Sequence, residues 1–578
     1  MSRDLFGALR AGTERIAVWA DLLDNINVYP VADGDTGRNL TISLMPLKSP
    51  AADRSVLIEK LFLAARGNSG NIASQFFTGL LSCDTEQQLA DAVQTGTQRA
   101  WQALADPRPG TMLSLFSELE SALRELPRDD AGAWIPPLIK RLEAAVARTA
   151  TELTQLRDAH VVDAGALGMF IFFDAFFNEL FLERPMFAPI HELFRDYLTV
   201  HPAESGTAEP GSCVDAVVEL NARSPVSLND LSMIGESIVS REYEGRLKIH
   251  IHTRDQSTLR SMLARGGTIL QWSSDDLEAQ TKSFFRGPAS GTIHIMTDAA
   301  GSMTREDAHT LGITLLDSYI TIGTKDYPET RVDSHELYEA MSGGIKVTTS
   351  QASVSERSQH YEKVLGLYGT ALYLCVGSVF TGNYRTVMDW KKSHDPEDRL
   401  KVIDSGSASG RLGLAALATA EFSRTASDGA AVVDFAARAA AACEEYIFLD
   451  SLSYLAAGGR MSKTGAVFGD MLHLKPVVSP LPEGAKKVGM VRNRKDQIAF
   501  AMKKLDTSVL SSDHPLVMLE YTDNQAWVAG EIAPLVKTRL PDAKIIIHPL
   551  SLTTGVHTGP GTWGIAFLPV NPNNAFAK

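Results

Sequence analysis

The sequence predicts a multidomain protein: an all-α region, a small α/β region and a larger C-terminal α/β region. Three observations carry that expectation. Residues 1 to about 195 repeat apolar side chains every three or four positions, as in Leu5, Leu9, Ile16, Trp19, Leu22 and Leu23. From Thr292 onward, short apolar runs alternate with Ala-rich stretches, the βαβ rhythm of a largely parallel sheet covered by helices. Two small, Pro/Gly-containing stretches, HPAESGTAEPGS (201–212) and RGPASG (286–291), read as linkers. The expected domains are 1–195, 205–287 and 291–578. A chain of 578 residues also exceeds one ordinary core.

Within the helical region, Leu113, Leu115, Leu119 and Leu123 continue the helical spacing. The most apolar stretch, Ala164 to Leu182, contains Phe170, Phe172, Phe173, Phe176, Phe177 and Phe181, interrupted by Asp174, Asn178 and Glu179. That pattern predicts a buried helix with one polar stripe, and no stable membrane insertion. In the middle region, strands are expected at 216–220 and 247–252, with helices at 228–235 and 256–265. Further on, IHIMTD, ALYLCVGS, KVIDSGS, HPLVMLEYT and KIIIHPLS read as strands, with helices at 412–422 and 430–443.

Fifty-five Lys and Arg against 69 Asp and Glu leave a net charge of −14, which argues against a broad basic face for nucleic acid. Cys83, Cys213, Cys375 and Cys443 lie far apart and form no disulfide framework. With no apolar leader segment at the N-terminus, a cytoplasmic location is expected.

Three groups of residues point to chemistry. In Asn27-Val-Tyr-Pro-Val-Ala-Asp33-Gly-Asp35-Thr36-Gly37, two carboxylates flank Gly34, and Asn27 could add a third oxygen. Hard cations such as Mg²⁺ favour that donor set; an ordinary Asp/Gly turn capping the next helix is the competing reading. Ala65-Arg-Gly-Asn68-Ser69-Gly70-Asn71 could present backbone amides to a phosphate, or simply start a helix. His250 and His252 alternate on a strand and so share a face. With Cys213 they could bind Zn²⁺, unless they are incidental strand residues. In the third region, small polar clusters sit at expected strand ends, where open α/β sheets bind ligands. They include Thr349-Ser350, Gly377-Ser378 and His557-Thr-Gly-Pro-Gly561; each alone could equally be a cap or turn.

N-x-Y-P-V-x-D-G-D-T-G followed by A-R-G-N-S-G resembles the dihydroxyacetone-kinase-like nucleotide domain, and more closely its fatty acid kinase branch. Pro109-Gly-Thr111-Met112-Leu113 and Val162-Asp163-Ala-Gly-Ala-Leu-Gly168 agree with later motifs of that family. The resemblance implies an α-helical barrel that holds ATP through Mg²⁺ on Asp33 and Asp35. Asn27 stands where the ketone kinases carry another metal ligand. Thr36, Asn39, Asn68, Ser69 and Gly70 would lie around the phosphates. Thr111 and Met112 would line the adenine site, and Asp163 would close the pocket. Ala32 replaces the usual Pro. The strand L-K-I-H-I-H-T and the segment Ser212-Cys213-Val-Asp215-Ala are similar to the middle domain of fatty acid kinases. That likeness places His250 and His252 near the chemistry, with Asp215 orienting a ligand.

Ile293 to Phe567 resembles the DegV family of fatty-acid-binding proteins. The segments that carry this are I-x-I-x-T-D, T-S-Q, L-S-Y-L-A-A-G-G-R-M-S (452–462), Lys475-Pro476 and H-T-G-P-G. Thr349, Ser350, Ser378 and His557 then inherit a role at a fatty acid carboxylate, with Arg460 as a nearby cation. Ala352 and Phe380 depart from the family pattern and bear on chain-length preference. The combination implies an ATP-dependent kinase that turns a fatty acid into an acyl phosphate, for use by an acyltransferase in phospholipid synthesis. A homodimer is the expected assembly. The alternatives are a small-ketone kinase, or a lipid carrier or sensor with a vestigial nucleotide domain.

Overall fold

The computed structural model describes residues 4–48, 53–83, 85–126, 130–183, 185–200, 211–221, 228–284, 291–451, 454, 474–509 and 514–569. Two compact units divide the chain, Met1–Arg286 and Gly287–Lys578.

The first unit opens with helices α1 (Leu5–Asn25), α2 (Thr36–Leu44), α3 (Arg54–Ala64), α4 (Gly67–Leu80) and α5 (Leu89–Gln102). They are followed by α6 (Met112–Glu125), α7 (Ala131–Glu152), α8 (Thr154–Ala159), α9 (Ala164–Phe181) and the short α10 (Ile190–Leu193). Side chains mark several starts: Asp4, Thr111 and Asp163 accept from first-turn amides of α1, α6 and α9.

α9 is long and apolar enough to cross a membrane by length and composition, yet 89% of it is buried inside the protein. Its phenylalanines pack against the surrounding helices; Phe173, for example, meets Phe76 of α4 edge-on, with ring centroids 5.5 Å apart. Phe76 also stacks on Phe116 of α6 at 4.1 Å. Each buried ring contributes roughly 1.5–3 kcal/mol. Asp174, which interrupts the apolar run, pairs with Arg15 of α1 at 3.1 Å and accepts from the Ala188 amide. The polar stripe is therefore an internal tie between α1 and α9.

A four-stranded antiparallel sheet completes this unit. Its strands are β1 (Ser212–Leu220), β2 (Gly235–Tyr243), β3 (Arg246–Thr253) and β4 (Gly267–Asp276), in the order β2-β3-β1-β4. Helices α11 (Leu228–Ser232), α12 (Gln256–Gly266) and α13 (Leu277–Phe284) accompany it. The helix expected over 228–235 ends at Ser232, and Gly235 already opens β2. A register shift between Glu236 and Val239, with Ser237 at φ 53°, breaks the two-residue alternation that would have marked this strand. β4 was hidden for another reason: it is half-exposed and mostly polar. The sheet is tied to the helical region: Ser240 N donates to Ala103 O at 3.1 Å, and Ala105 N to Ile238 O at 3.3 Å.

Among its described residues, the second unit contains three sheets. The first is wholly parallel, in the order β11-β10-β5-β6, from β5 (His294–Asp298), β6 (Ile313–Leu316), β10 (Ala371–Cys375) and β11 (Leu400–Asp404). The second is a small antiparallel sheet of β7 (Tyr319–Ile322), β8 (Lys325–Pro328) and β9 (Val347–Ser350). The third has six strands, in the order β14-β13-β12-β17-β15-β16. They are β12 (Glu444–Phe448), β13 (Lys475–Leu481), β14 (Gly484–Val491), β15 (Leu516–Tyr521), β16 (Lys544–Pro549) and β17 (Trp563–Leu568). Only β15 and β16 pair in parallel there. The expectation of one largely parallel sheet is thus corrected. The alternation of apolar strands and helices does not report strand direction, and β17, last of the described strands, inserts antiparallel between β12 and β15.

Candidate functional site

The loop between α1 and α2 gathers the two carboxylates. Gly34 sits between them at φ 66°, a conformation that favours glycine. Asp35 precedes α2, but its side chain makes no capping hydrogen bond, so the helix-cap reading does not describe it. Thr36 Oγ1 donates to Asn27 Oδ1 at 2.8 Å and lies 3.1 Å from Ser69 Oγ, while Asn27 Nδ2 donates to Asp33. Burial and the charge of Asp35 push the Asp33 carboxyl well above its ordinary value. Burial pushes Asp35 up to about 6, against the opposing effect of Arg38. Half-buried Asp33 and buried Asp35, each resisting ionisation, form a donor set that a divalent cation would relieve.

β1 and β3 build the second part. Cys213 is paired across the ladder with His252, and Asp215 with His250. Directly opposed residues share a face, so all four side chains stand on one side of the sheet. The other side carries Val214, Ala216, Val218, Leu247, Ile249 and Ile251, packed with Leu259 and Leu263 of α12. A ligand atom each from Cys213, His250 and His252 lie within 4.8 Å of one another, and all three residues are buried. His250 Nε2 and His252 Nδ1 are buried without a hydrogen-bond partner. Burial and His250 bring His252 down to about 3, so its imidazole is neutral and can act as a ligand. Burial and Asp215 raise the Cys213 thiol. One sulfur and two imidazoles fit Zn²⁺, which would hold the cysteine as thiolate.

Asp215 connects the two parts. Its carboxylate accepts from Gly67 N at 3.1 Å and Asn71 Nδ2 at 3.2 Å, and lies 3.4 Å from His250 Nδ1. Burial alone would raise this carboxyl; His250, Lys248 and the Gly67 amide outweigh burial and hold it far below the usual range. Gly67 opens α4 at φ 61°, so one carboxylate on β1 sets the start of the helix that carries Asn68 and Ser69.

Two cavities adjoin here. The smaller is lined by Asn27, Asp33, Asp35, Asn68, His250 and His252, among others. The larger, about 650 Å³, is lined by Thr111, Met112, Asp163 and Glu152, among others. Tyr29, Pro30, Thr36, Asn68 and Ser69 line both. Burial pushes Asp163 up to about 7, while its Oδ1 accepts from Ala166 N at 2.7 Å. Asn39 and Gly70, expected at the phosphates, stand behind the cavities. Asn39 hydrogen-bonds Asp35. A Cβ on Gly70 would come within 1.9 Å of Ser43 Oγ, so this glycine lets α4 approach α2. Ile238 on β2 and Leu153 also line the larger cavity; no motif marked them, because only folding brings them there.

In the second unit, Thr349 and Ser350 end β9, and Thr349 Oγ1 lies 3.4 Å from His557 Nε2. Ser378 follows β10, exposed, with its amide donating to Asp404 Oδ1 at 3.0 Å. Tyr454 packs on Gly559 of the His557–Gly561 segment. Arg460 lies outside the described residues.

Comparison with known proteins finds matches to two parts of the chain. The family model of the DAK2 domain matches residues 30–178, and that of uncharacterised DegV-family proteins matches residues 292–570. Protein YloV of Bacillus subtilis is 26% identical over 302 residues, 47% of this chain and 55% of that protein. An uncharacterised protein of Staphylococcus epidermidis is 24% identical over 307 residues, 48% of this chain and 56% of that protein. The chain thus spans about half the length of the curated relatives it matches. Among solved structures, a fatty-acid-binding DegV family protein from Thermus thermophilus matches with a TM-score of 0.45 at 22% identity, covering 48% of this chain and 99% of that one. DegV, a fatty acid binding protein from Bacillus subtilis, gives 0.44 at 21% identity, with the same coverage. The chain joins a DAK2 domain, at residues 30–178, to a C-terminal DegV-family region, at residues 292–570.

Proposed function

We propose that the protein is an ATP-dependent acyl kinase, phosphorylating the carboxylate of a fatty acid bound by the second unit. The observation that carries this reading is the adjoining pair of cavities: a small one lined by Asp33, Asp35, His250 and His252 opens beside one large enough for a nucleoside. Bound Mg²⁺ would neutralise the triphosphate. Asp33 and Asp35 are the residues to hold it, oriented by Asn27 and Asn39. Thr36, Ser69 and the first-turn amides of α4 are placed to donate to phosphate oxygens. Thr111, Met112 and Asp163 enclose the nucleoside.

In the transfer, a carboxylate oxygen bonds to the γ-phosphorus as the bond to the bridging oxygen breaks, and ADP leaves. The acid is already ionised, so no strong general base is required. His250 and His252 serve at the small cavity, neutral His252 as a hydrogen-bonding group or, with Cys213 and His250, as a ligand that would hold zinc and its charge beside the phosphates. The DegV-family match of residues 292–570 and the Thr349–His557 pair support a fatty acid as substrate. In the same reading Ser350, Ser378 and Arg460 serve the head group, an acyltransferase consumes the product, and the protein acts in the cytoplasm as a homodimer.

ATP consumption should rise on adding oleate or palmitate. Asp35→Ala should cut that turnover at least a hundredfold while leaving acid binding intact. Turnover unaffected by acid would sink the kinase reading; loss of acid binding in the variant would sink the division of labour.

A further inference from the structure

A third cavity of the first unit, about 930 Å³, lies between α3, α4, α5 and β2 and shares no lining residue with the two described above. Three arginines line it: Arg54, Arg99 and Arg241. Among the described residues, the only carboxylate on its wall is Glu242. Strand alternation turns Glu242 away from the face shared by Arg241 and Tyr243, and it is exposed.

Arg241 is a held cation. Its guanidinium sits over the rings of Phe62 and Tyr243, at 5.5 and 5.4 Å from their centroids. It donates to Thr78 Oγ1 at 3.1 Å and, with the Gln75 amide oxygen turned toward it, to Gln75 at 3.0 Å. All these partners are neutral. Among the described residues, neither Arg241 nor Arg99 has a carboxylate within ion-pair distance, whereas nearby Arg246 is paired with Glu59 at 2.9 Å. Burial and the like charge of Arg99 bring Arg241 down to about 10, so this guanidinium is held against unfavourable electrostatics. A half-buried charge without a counter-charge is costly unless something supplies one. Planar guanidinium groups match the oxygens of phosphate and carboxylate in bidentate fashion.

We propose that this cavity is a second ligand site, binding a small phosphate- or carboxylate-bearing anion between Arg99 and Arg241. Thr78 and Gln75 fix the Arg241 fork, and exposed Arg99 closes on the ligand from α5. The site is independent of the kinase reading, because it uses none of the residues assigned there.

The test is calorimetric titration of the full-length protein with magnesium chelated, using inorganic pyrophosphate in one arm and succinate, a carboxylate without a fatty tail, in the other. Saturable binding of either anion, weakened at least tenfold by Arg99→Gln and by Arg241→Gln, is the expected result. The arm that responds tells phosphate from carboxylate. Arg99 is exposed, so Arg99→Gln remains decisive if Arg241→Gln disturbs the fold. No binding in either arm, or binding that Arg99→Gln leaves unchanged, overturns the proposal.

Discussion

Buried acids set the electrostatic character of individual positions. Glu329 in the second unit is 2% exposed; one carboxylate oxygen accepts from Thr553 N at 2.8 Å and the other has no hydrogen-bond partner. Burial pushes it from 4.5 up to about 7. The folded protein therefore keeps a proton that the unfolded chain gives up. The stability this group contributes is full below about pH 4.5 and is lost as pH rises through 7, with an upper limit of roughly 3 kcal/mol. Glu329→Gln should remove this slope and leave the variant more stable than its parent at pH 8. Urea denaturation at pH 5 and pH 8 measures it; an identical difference between the two pH values in both proteins would refute the assignment. The carboxylates of Asp33 and Asp35 were legible as a motif. Glu329 was not, because one glutamate in a sequence carries no sign of the burial that shifts it.

Pairs of elements decide how the motifs work. Gly37, read from the sequence as part of the carboxylate loop, is where α2 crosses α1: a Cβ there would lie 2.0 Å from Ala20 O. Gly37→Ala should cost about 1–3 kcal/mol by forcing the helices apart. The thermal midpoint should fall and nucleotide affinity with it, since Asp35 stands two residues before. A variant with parental stability would show that the helices can yield at no cost. The ladder between β1 and β3 has a similar role. Alternation in the sequence put His250 and His252 on one face, but only the register set Cys213 against His252 and Asp215 against His250. Metal analysis of the purified protein should find zinc, and Cys213→Ser should remove most of it. Zinc that persists in the variant, or none in the parent, contradicts a Cys213–His250–His252 site.

For the protein as a whole, the division at Arg286/Gly287 puts the residues proposed for phosphoryl transfer in the first unit and those proposed for acid binding in the second. If the second unit holds a fatty acid, protein purified without detergent should release one on denaturation, detectable by mass spectrometry. Thr349→Ala combined with His557→Ala should reduce the recovered acid severalfold while ATP binding persists. Equal recovery from parent and variant would remove the pair from the acid site.

Composition and periodicity alone determined much of this protein: a helical first region, an α/β remainder, and a Phe-rich helix destined for burial. The short motifs held the Asp33/Asp35 loop and the His250/His252 strand, because the residues that do such chemistry must sit close together in sequence to share a loop or a strand face. Only the tertiary structure decided what depends on contacts between distant residues. Asp215 meets Gly67 across 148 positions, and the two cavities share a wall. The six-stranded sheet is mainly antiparallel, because strand direction follows from where the chain returns and leaves no trace in a two-residue alternation. Arg241 shows the limit most plainly. In the sequence it is one basic residue on an unmarked strand; folded between Phe62 and Tyr243 beside Arg99, it is a positive charge without a counter-charge among the described residues.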